Sequence, residues 1–194
     1  MPGLETQTPW GYTVPYLPSM ISLEDFRIIC PGLSSEDSQV QAVLDAVSAA
    51  IRDWCGWHVS PSCECVFTGN GEGRLLVLPA MGVTDVSSLV VGGAAVTDYE
   101  WTAAGMVRLK SGVFPDVWRS VECVYTAGFD TAAIGQVVAQ IASNALVAAP
   151  GVANERAGNV SITYNQTGAG ITGGVSLLPR DYAILAPYKL ARAR

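Results

Sequence analysis

The chain has 194 residues, and only 14% of them are charged, against about 25% in a typical globular protein. Its 11 basic and 17 acidic residues give a net charge of −6, which argues against tight binding of nucleic acid through clustered Lys and Arg. Because the cores of protein interfaces are depleted in charge, this composition favours a subunit covered by its neighbours. The alternative is a neutral surface rich in Ser, Thr and Gly. The uncharged stretch from Thr131 to Asn154 is too polar and too interrupted to span a membrane, so we expect no membrane association.

The first 20 residues contain four prolines together with Trp10, Tyr12 and Tyr16. Proline disfavours both regular helix and central strand, so residues 1–20 are predicted to form an extended N-terminal arm. Aromatic side chains are costly to leave in water, and we expect the arm to lie on a neighbouring surface. The alternative is a disordered terminus.

Two helices are predicted after the arm. Ser22 is a good N-cap for a short helix that runs to Cys30, where Pro and Gly follow. Ser34 or Ser35 caps a second helix that runs to about Trp57. Its apolar residues recur at steps of three and four and form one stripe, which consists of Val40, Val43, Leu44, Val47, Ile51 and Trp54.

Residues 59–129 change to short runs rich in Val, Leu and Tyr, separated by Gly, Asn and Pro. Such runs without intervening helices predict an antiparallel sheet and, with the helices, an α+β fold. The candidate strands are Glu64–Thr68, Arg74–Leu78, Ser87–Val91, Tyr99–Ala103, Met106–Leu109 and Ser120–Tyr125.

A third long helix is predicted from Asp130 or Thr131 to about Ala148, with one apolar stripe and one polar stripe. The polar stripe contains no charge and consists of Gln136, Gln140, Ser143 and Asn144. Solvated helix faces usually carry Lys or Glu, so this stripe is suited to contact between subunits. The alternative is an ordinary solvent-exposed face.

The C-terminal part begins with a loop-like region at residues 150–175, in which only Asn159–Tyr164 alternates like a strand. Pro179 suits the first turn of a short helix, and Pro187 ends it. The last eight residues carry Lys189, Arg192 and Arg194 and no acidic residue.

Few residues have the character of a catalytic or metal site. His58 is the one histidine in the sequence, and no nucleophile motif accompanies it. Cys55, His58, Cys63 and Cys65 are possible zinc ligands, but their spacing is not a standard zinc pattern. Buried free cysteines are common, and we expect reduced thiols. We therefore predict no catalytic residues, no cofactor and no metal, and hence no enzyme.

The order of these segments resembles the head-to-tail connector proteins of long-tailed double-stranded DNA bacteriophages, which are also called adaptor or head completion proteins. The resemblance covers about residues 20–190. It rests on SLEDFRIIC, VQAVLDAVSAAIRDWCGW, LLVLPAMGVTDVSSLVVGGAAV, DYEWTAAGMVRLKSG, VECVYTAGFD and LLPRDYAILAPYKL in that order.

The resemblance implies a small helical bundle with an antiparallel β-hairpin or sheet region and extended N- and C-terminal arms. It also implies a homo-oligomeric ring, usually of twelve copies, below the portal protein. Such a ring extends the channel through which genomic DNA passes without sequence-specific binding, and it offers a platform to stopper or tail proteins. The expected location is the neck of the virion, after assembly in the cytoplasm of the bacterial host.

For this chain the resemblance divides the sequence into the arm at 1–20, one α+β adaptor domain at 21–174 and a portal-docking segment at 175–194. Tyr188 and Leu190 could add to the sheet edge of a neighbour, and Lys189, Arg192 and Arg194 could meet acidic portal groups or DNA. Deletion of residues 187–194 should then leave the fold intact and abolish docking. The alternative functions are another neck or tail-completion protein, such as a stopper or tail terminator, and an enzyme or small-molecule binding module.

Overall fold

The computed structural model describes residues 6–147, 154–157, 160–163, 166–168, 171–172 and 177–190. The chain divides into two compact units, each built from separate stretches of sequence. The sheet unit comprises residues 1–17, 55–130 and 188–194, and the helical unit comprises residues 18–54 and 131–187. The predicted boundaries after residues 20 and 174 therefore do not coincide with the edges of either unit.

The sheet unit contains nine strands within the described residues. In chain order they are β1 Thr6–Gln7, β2 Tyr12–Val14, β3 Cys63–Gly69, β4 Leu75–Val77, β5 Asp85–Val91, β6 Ala94–Ala95, β7 Tyr99–Trp101, β8 Met106–Leu109 and β9 Val121–Ala127. Six of them form one antiparallel sheet in the order β1-β2-β3-β9-β5-β6, and the other three form a second in the order β4-β8-β7. All six predicted strands are present, with ends shifted by at most two residues.

The centre of the six-stranded sheet is the pairing of β9 with β3 on one side and β5 on the other. Cys65 lies opposite Tyr125 in the β3–β9 register. Alternate residues of a strand face the same side, and on β9 the buried set is Val121, Cys123, Tyr125 and Ala127. This alternation is typical of a sheet with one face in a core.

The N-terminal segment contributes to this same sheet. Thr13 of β2 pairs with Val66 of β3, and Tyr12 and Val14 are buried. Tyr12 therefore lies on a surface of its own unit and not on another molecule, and its ring packs in the core. Proline excludes central strands, but it does not prevent a short strand between Gly11 and Pro15. Tyr16 is exposed, and its contact with another molecule stays a prediction.

The helical unit contains four α-helices within the described residues, namely α1 Leu23–Ile29, α2 Asp37–Cys55 (whose last residue belongs to the sheet unit), α3 Ala132–Val147 and α4 Pro179–Leu185. Ser22 caps α1 by accepting a hydrogen bond from the Asp25 backbone N–H at 3.0 Å. The predicted stripe of α2 is buried at Val40, Leu44, Val47 and Ile51. The mixture of helices and antiparallel sheets confirms the predicted α+β class.

Two short hairpins follow α3, and the sequence predicts only part of the first. They are formed by β10 Asn154–Ala157 with β11 Val160–Thr163, and by β12 Gln166–Gly168 with β13 Ile171–Thr172. The loop-like interpretation of residues 150–175 is wrong for these strands, because abundant Gly and Asn mark tight turns as well as loops. No helix among the described residues has the length and hydrophobicity needed to cross a membrane.

Candidate assembly surfaces

The predicted polar stripe of α3 exists on the side of the helix opposite its buried residues. Gln136 and Gln140 are exposed, and Ser143 and Asn144 are half-buried. The Gln140 side-chain amide donates to Asn144 Oδ1 at 3.4 Å, and the Ser143 hydroxyl donates to the Gln140 carbonyl at 3.0 Å. Neither the first nor the last turn of α3 carries a charged residue. The surface is thus polar and uncharged, and its contact with another subunit stays a prediction.

The C-terminal helix α4 begins as the sequence predicts. Pro179 occupies the first turn, and the Asp181 carboxylate accepts a hydrogen bond from the Leu178 backbone N–H at 2.8 Å. Negative charge is favourable at a helix N-terminus, so Asp181 stabilises this start although its side chain is buried. Tyr182 packs against Trp54 of α2, with ring centroids 5.1 Å apart. The helix is therefore fixed within its own unit.

The segment after α4 is bound to the sheet unit of the same chain. The Trp57 indole N–H donates to the Tyr188 carbonyl at 2.6 Å, and the Leu190 N–H donates to the Cys55 carbonyl at 3.0 Å. The Tyr188 ring meets Phe129 edge-on, with centroids 5.2 Å apart. We call residues Tyr188–Leu190 the clamp. Their predicted contact with a portal stays a prediction.

The predicted portal interface also contains Lys189, Arg192 and Arg194. Lys189 lies within the clamp and is exposed. Its charge also acts on Cys55, where it opposes the rise in pKa that burial causes. Arg192 and Arg194 lie outside the described residues.

His58 lies at the centre of a buried polar cluster in the sheet unit. The Tyr12 hydroxyl accepts the His58 backbone N–H at 3.0 Å and lies 2.9 Å from His58 Nδ1. His58 Nε2 lies 2.9 Å from the Ala127 carbonyl oxygen, which can only accept. For a neutral ring these contacts place the proton on Nε2, with Nδ1 accepting from Tyr12. Both ring nitrogens are therefore engaged in structural hydrogen bonds.

The backbone beside His58 is strained. Val59 has a φ of +61°, a conformation that β-branched residues rarely adopt. The Ser60 N–H donates to the His58 carbonyl at 2.7 Å and closes a γ-turn around Val59, while the Val59 carbonyl accepts from the Phe129 N–H at 2.8 Å. Such strain persists only where the surroundings hold it, and here the hydrogen bond from the Phe129 N–H to the Val59 carbonyl holds the turn.

The structure brings three of the four possible zinc ligands together. One ligand atom each from His58, Cys63 and Cys65 lie within 4.8 Å of one another, whereas Cys55 is outside this group. Zinc needs a free imidazole nitrogen and thiolates. Both His58 nitrogens are engaged in hydrogen bonds within the sheet unit, and Cys55 does not complete the set of four ligands. The cluster is therefore better suited to a core than to a metal.

The thiols of Cys55 and Cys123 also lack the features of nucleophiles. Burial raises the pKa of Cys55 and of Cys123 to about 12, so both are protonated near neutral pH. None of the five cysteines is in a disulfide. A depression of about 500 Å³ lies at the end of the six-stranded sheet. Among the described residues that line it, Arg119 is the one that carries a charge. Nothing in this lining pairs a nucleophile with a base.

Several exposed apolar residues were not predicted from the sequence. On the second sheet they are Leu75, Val77, Trp101 and Met106. In the loop before β9 they are Val113, Val117 and Trp118, and on α1 they are Ile28 and Ile29. One signal was present, because the uninterrupted apolar run Leu75–Val77 must place apolar side chains on both faces of a strand. The loop gave no such signal, since nothing in its sequence distinguishes an anchored Phe114 from an exposed Trp118.

Solved structures share the fold of this chain, although no family model and no curated protein matches it. A chain in the neck of an empty GTA particle, computed with C6 symmetry, is 18% identical with a TM-score of 0.63. The match covers 93% of this chain and 95% of that chain.

Two further structures give the same result. A chain in the neck of a native GTA particle, computed with C12 symmetry, is 15% identical with a TM-score of 0.60, covering 98% of this chain and 97% of that one. A chain in the virion of a native gene transfer agent (GTA) particle is 18% identical with a TM-score of 0.59, covering 94% and 97%. At this identity the likeness establishes a shared fold over nearly the whole chain. The predicted resemblance to connector-type proteins is confirmed at the level of that fold.

Proposed function

We propose that this chain is a structural protein of the neck of a phage-like particle, and more narrowly a head-to-tail adaptor. Twelve copies form a ring below the portal, continue the DNA channel and offer a platform to stopper or tail proteins. The observation that carries the proposal is the fold shared with neck chains over 93% or more of this sequence. A match that leaves almost no residue unaccounted for favours the same kind of protein over a common domain reused elsewhere.

The ring is supported by the symmetry of the similar necks and by the surface of this chain. Those necks were computed with C6 and C12 symmetry. The uncharged stripe of Gln136, Gln140, Ser143 and Asn144 gives a surface that another subunit can cover at a low cost in desolvation, because no charge has to leave water.

Contact with the portal is assigned to the end of the chain. The clamp holds Tyr188 and Leu190 on their own unit and so fixes the point from which residues 191–194 begin. Two of these four residues are arginine, and arginine binds carboxylates in a bidentate manner. We propose that Arg192 and Arg194, together with Lys189, bind acidic groups of the portal.

The proposed protein is not an enzyme and carries no cofactor. Its one histidine forms hydrogen bonds through both ring nitrogens, and its buried thiols have raised pKa values. DNA passes the ring without sequence-specific contacts, in keeping with the net charge of −6. Assembly takes place in the cytoplasm of the bacterial host.

The test is reconstitution with the purified portal protein of the same particle. The full chain is expected to bind the portal and to add a ring of density to it in electron micrographs, whereas a chain lacking residues 191–194 folds but does not bind. A chain that binds an isolated adaptor ring and not the portal would instead be a stopper or tail-completion protein. Failure to bind either would contradict a role in the neck.

A further inference from the structure

The turn after strand β3 contains the one asparagine–glycine pair in the sequence. Asn70 and Gly71 follow Gly69, the last residue of β3, and belong to neither a helix nor a strand. Asn70 is exposed and Gly71 is half-buried, so water reaches the pair. The other four asparagines are followed by Ala, Glu, Val or Gln. Because glycine has no side chain to hinder its own backbone nitrogen, that nitrogen can closely approach the side chain before it.

The Asn70 carboxamide is held by the loop that precedes β9. Its Oδ1 accepts a hydrogen bond from the Arg119 backbone N–H at 2.6 Å. Negative charge develops on this oxygen when a nucleophile adds to the carboxamide carbon, and the Arg119 N–H stabilises that charge. Within the described residues the Gly71 N–H donates no hydrogen bond. The turn therefore places an activated carboxamide beside a backbone nitrogen that no other contact engages.

The packing of the same turn requires glycine at position 71. A Cβ atom there would collide with the buried ring of Phe114. The Phe114 N–H also donates to the Gly73 carbonyl at 2.7 Å, which fixes the ring over the turn. The reactive pair is thus a consequence of how the loop before β9 is anchored, because a larger residue after Asn70 would disturb that anchor.

We propose that Asn70 deamidates spontaneously in the folded protein. The Gly71 nitrogen forms a bond to Asn70 Cγ, the bond between Cγ and the side-chain nitrogen breaks, and that nitrogen leaves as ammonia with the proton from Gly71. Water then opens the resulting succinimide ring at either of its carbonyl groups, which gives aspartate or isoaspartate. The reaction needs no oxidant, no reductant and no second protein. The inference is independent of the proposed function.

The two products have different effects on the loop. Aspartate keeps a side-chain oxygen that can accept the Arg119 N–H, whereas isoaspartate adds a carbon atom to the backbone and displaces the acceptor. Arg119 has a φ of +55°, which a residue other than glycine keeps only where its surroundings impose it. Its neighbour Trp118 is 82% exposed, the largest fraction among the large apolar side chains of the described residues. Isoaspartate at position 70 therefore loosens the segment that presents Trp118.

The reaction is tested on the full-length protein by peptide mapping. After incubation at mildly alkaline pH, the peptide that contains Asn70 is expected to yield two products about 1 Da heavier, the aspartate and isoaspartate forms. Asn144 of α3 is the internal control and should keep its mass. The chain unfolded in urea gives the rate of the pair without the fold. An unchanged mass at Asn70 in the folded protein would overturn the proposal, as would equal conversion at Asn144.

The effect on the loop is tested by limited digestion with trypsin, which cuts after Arg119. Asn70→Ala removes the acceptor and is expected to accelerate this cut about fivefold, the change predicted by the loss of one hydrogen bond. Asn70→Asp keeps an acceptor and should be cut like the wild type, as should the matched control Asn144→Ala. The purified isoaspartate form should be cut as fast as Asn70→Ala. A cut at the wild-type rate would contradict the predicted release of the loop.

Discussion

The two sheets of the sheet unit differ in how much of their apolar surface is buried. In the six-stranded sheet the inner face is closed by the same chain, and its polar groups at Tyr12, His58 and Ala127 bond to one another. In the three-stranded sheet the outer face leaves Leu75, Val77 and Met106 exposed. The first surface is buried within the chain, whereas the second is exposed to solvent. The difference separates residues that stabilise the fold from residues that are available for contact with another molecule.

The largest expected effect on stability comes from a substitution at the centre of the buried polar cluster around His58. His58→Ala removes the ring that occupies the Ala127 carbonyl and the Tyr12 hydroxyl, and it leaves a cavity in the core. We expect a loss of about 3–4 kcal/mol in the free energy of unfolding, measured by urea denaturation. Tyr16→Ala, at an exposed residue of the same N-terminal segment, should change it by less than about 0.5 kcal/mol. A loss below about 1 kcal/mol for His58→Ala would contradict this account of the cluster.

A second, smaller effect distinguishes the residues of the C-terminal segment that stabilise the fold from those that we propose bind the portal. Deleting residues 188–194 leaves the buried Trp57 indole N–H without its acceptor and removes a ring from Phe129, so we expect a loss of about 1–3 kcal/mol. Deleting residues 191–194 should cost less than about 0.5 kcal/mol and still abolish portal binding. The structure thus adds an expected cost in stability to the deletion of residues 187–194, and the effect of that deletion on docking stays a prediction. Equal stability of the two truncations would show that the clamp contributes nothing.

A third prediction concerns alkaline pH. The pKa of Cys55 and of Cys123 is raised to about 12 in the folded protein from an ordinary value of 9.0, because burial disfavours the thiolate. Above pH 9 the unfolded chain loses these protons and the folded chain keeps them, so stability falls as the pH rises from about 9 towards 12. Below pH 9 the two thiols contribute no pH dependence. Denaturation of the wild type and of a Cys55→Ala, Cys123→Ala variant at pH 8 and pH 10 should show a smaller decrease in the variant.

The smallest effect on folding is expected at the stripe of α3. Gln136→Glu with Gln140→Glu places like charges on an exposed face and should change stability by less than about 0.5 kcal/mol. If a neighbouring subunit covers the stripe, the same change buries two carboxylates and should weaken ring formation on the portal by tenfold or more. Normal ring formation by this variant would show that the stripe is an ordinary solvent-exposed face. Gln39→Glu, the same substitution at an exposed glutamine of α2, is the control and should leave ring formation unchanged.

The elements of the fold were predictable because local sequence determines them. The α2 stripe follows from its period, the α1 start follows from Ser22, and Met106–Leu109 was predicted at its observed ends. The order of strands was not predictable, because β9 lies between β3 and β5 through contacts that are distant in sequence. The periodicity of apolar residues in a sequence indicates which residues share a face, but it does not indicate which strand lies beside them.

The candidate surfaces were predictable only in part, for a related reason. An uncharged polar stripe on a helix can be read directly from Gln136 and Gln140. The burial of Tyr12 depends on the pairing of β2 with β3, and the clamp depends on Trp57 and Phe129, both far from Tyr188 in sequence. The exposure of Val77 depends on which face of its sheet receives a core, and the sequence of one strand cannot decide that.

The central claim is that this chain is a ring subunit of the neck, and electron cryomicroscopy of the purified phage-like particle tests that claim most directly. The account predicts density for this fold in a ring of twelve copies directly below the portal, with the ends of the chains directed at it. The chain found in the capsid shell, in the tail tube or in no part of the particle would contradict it.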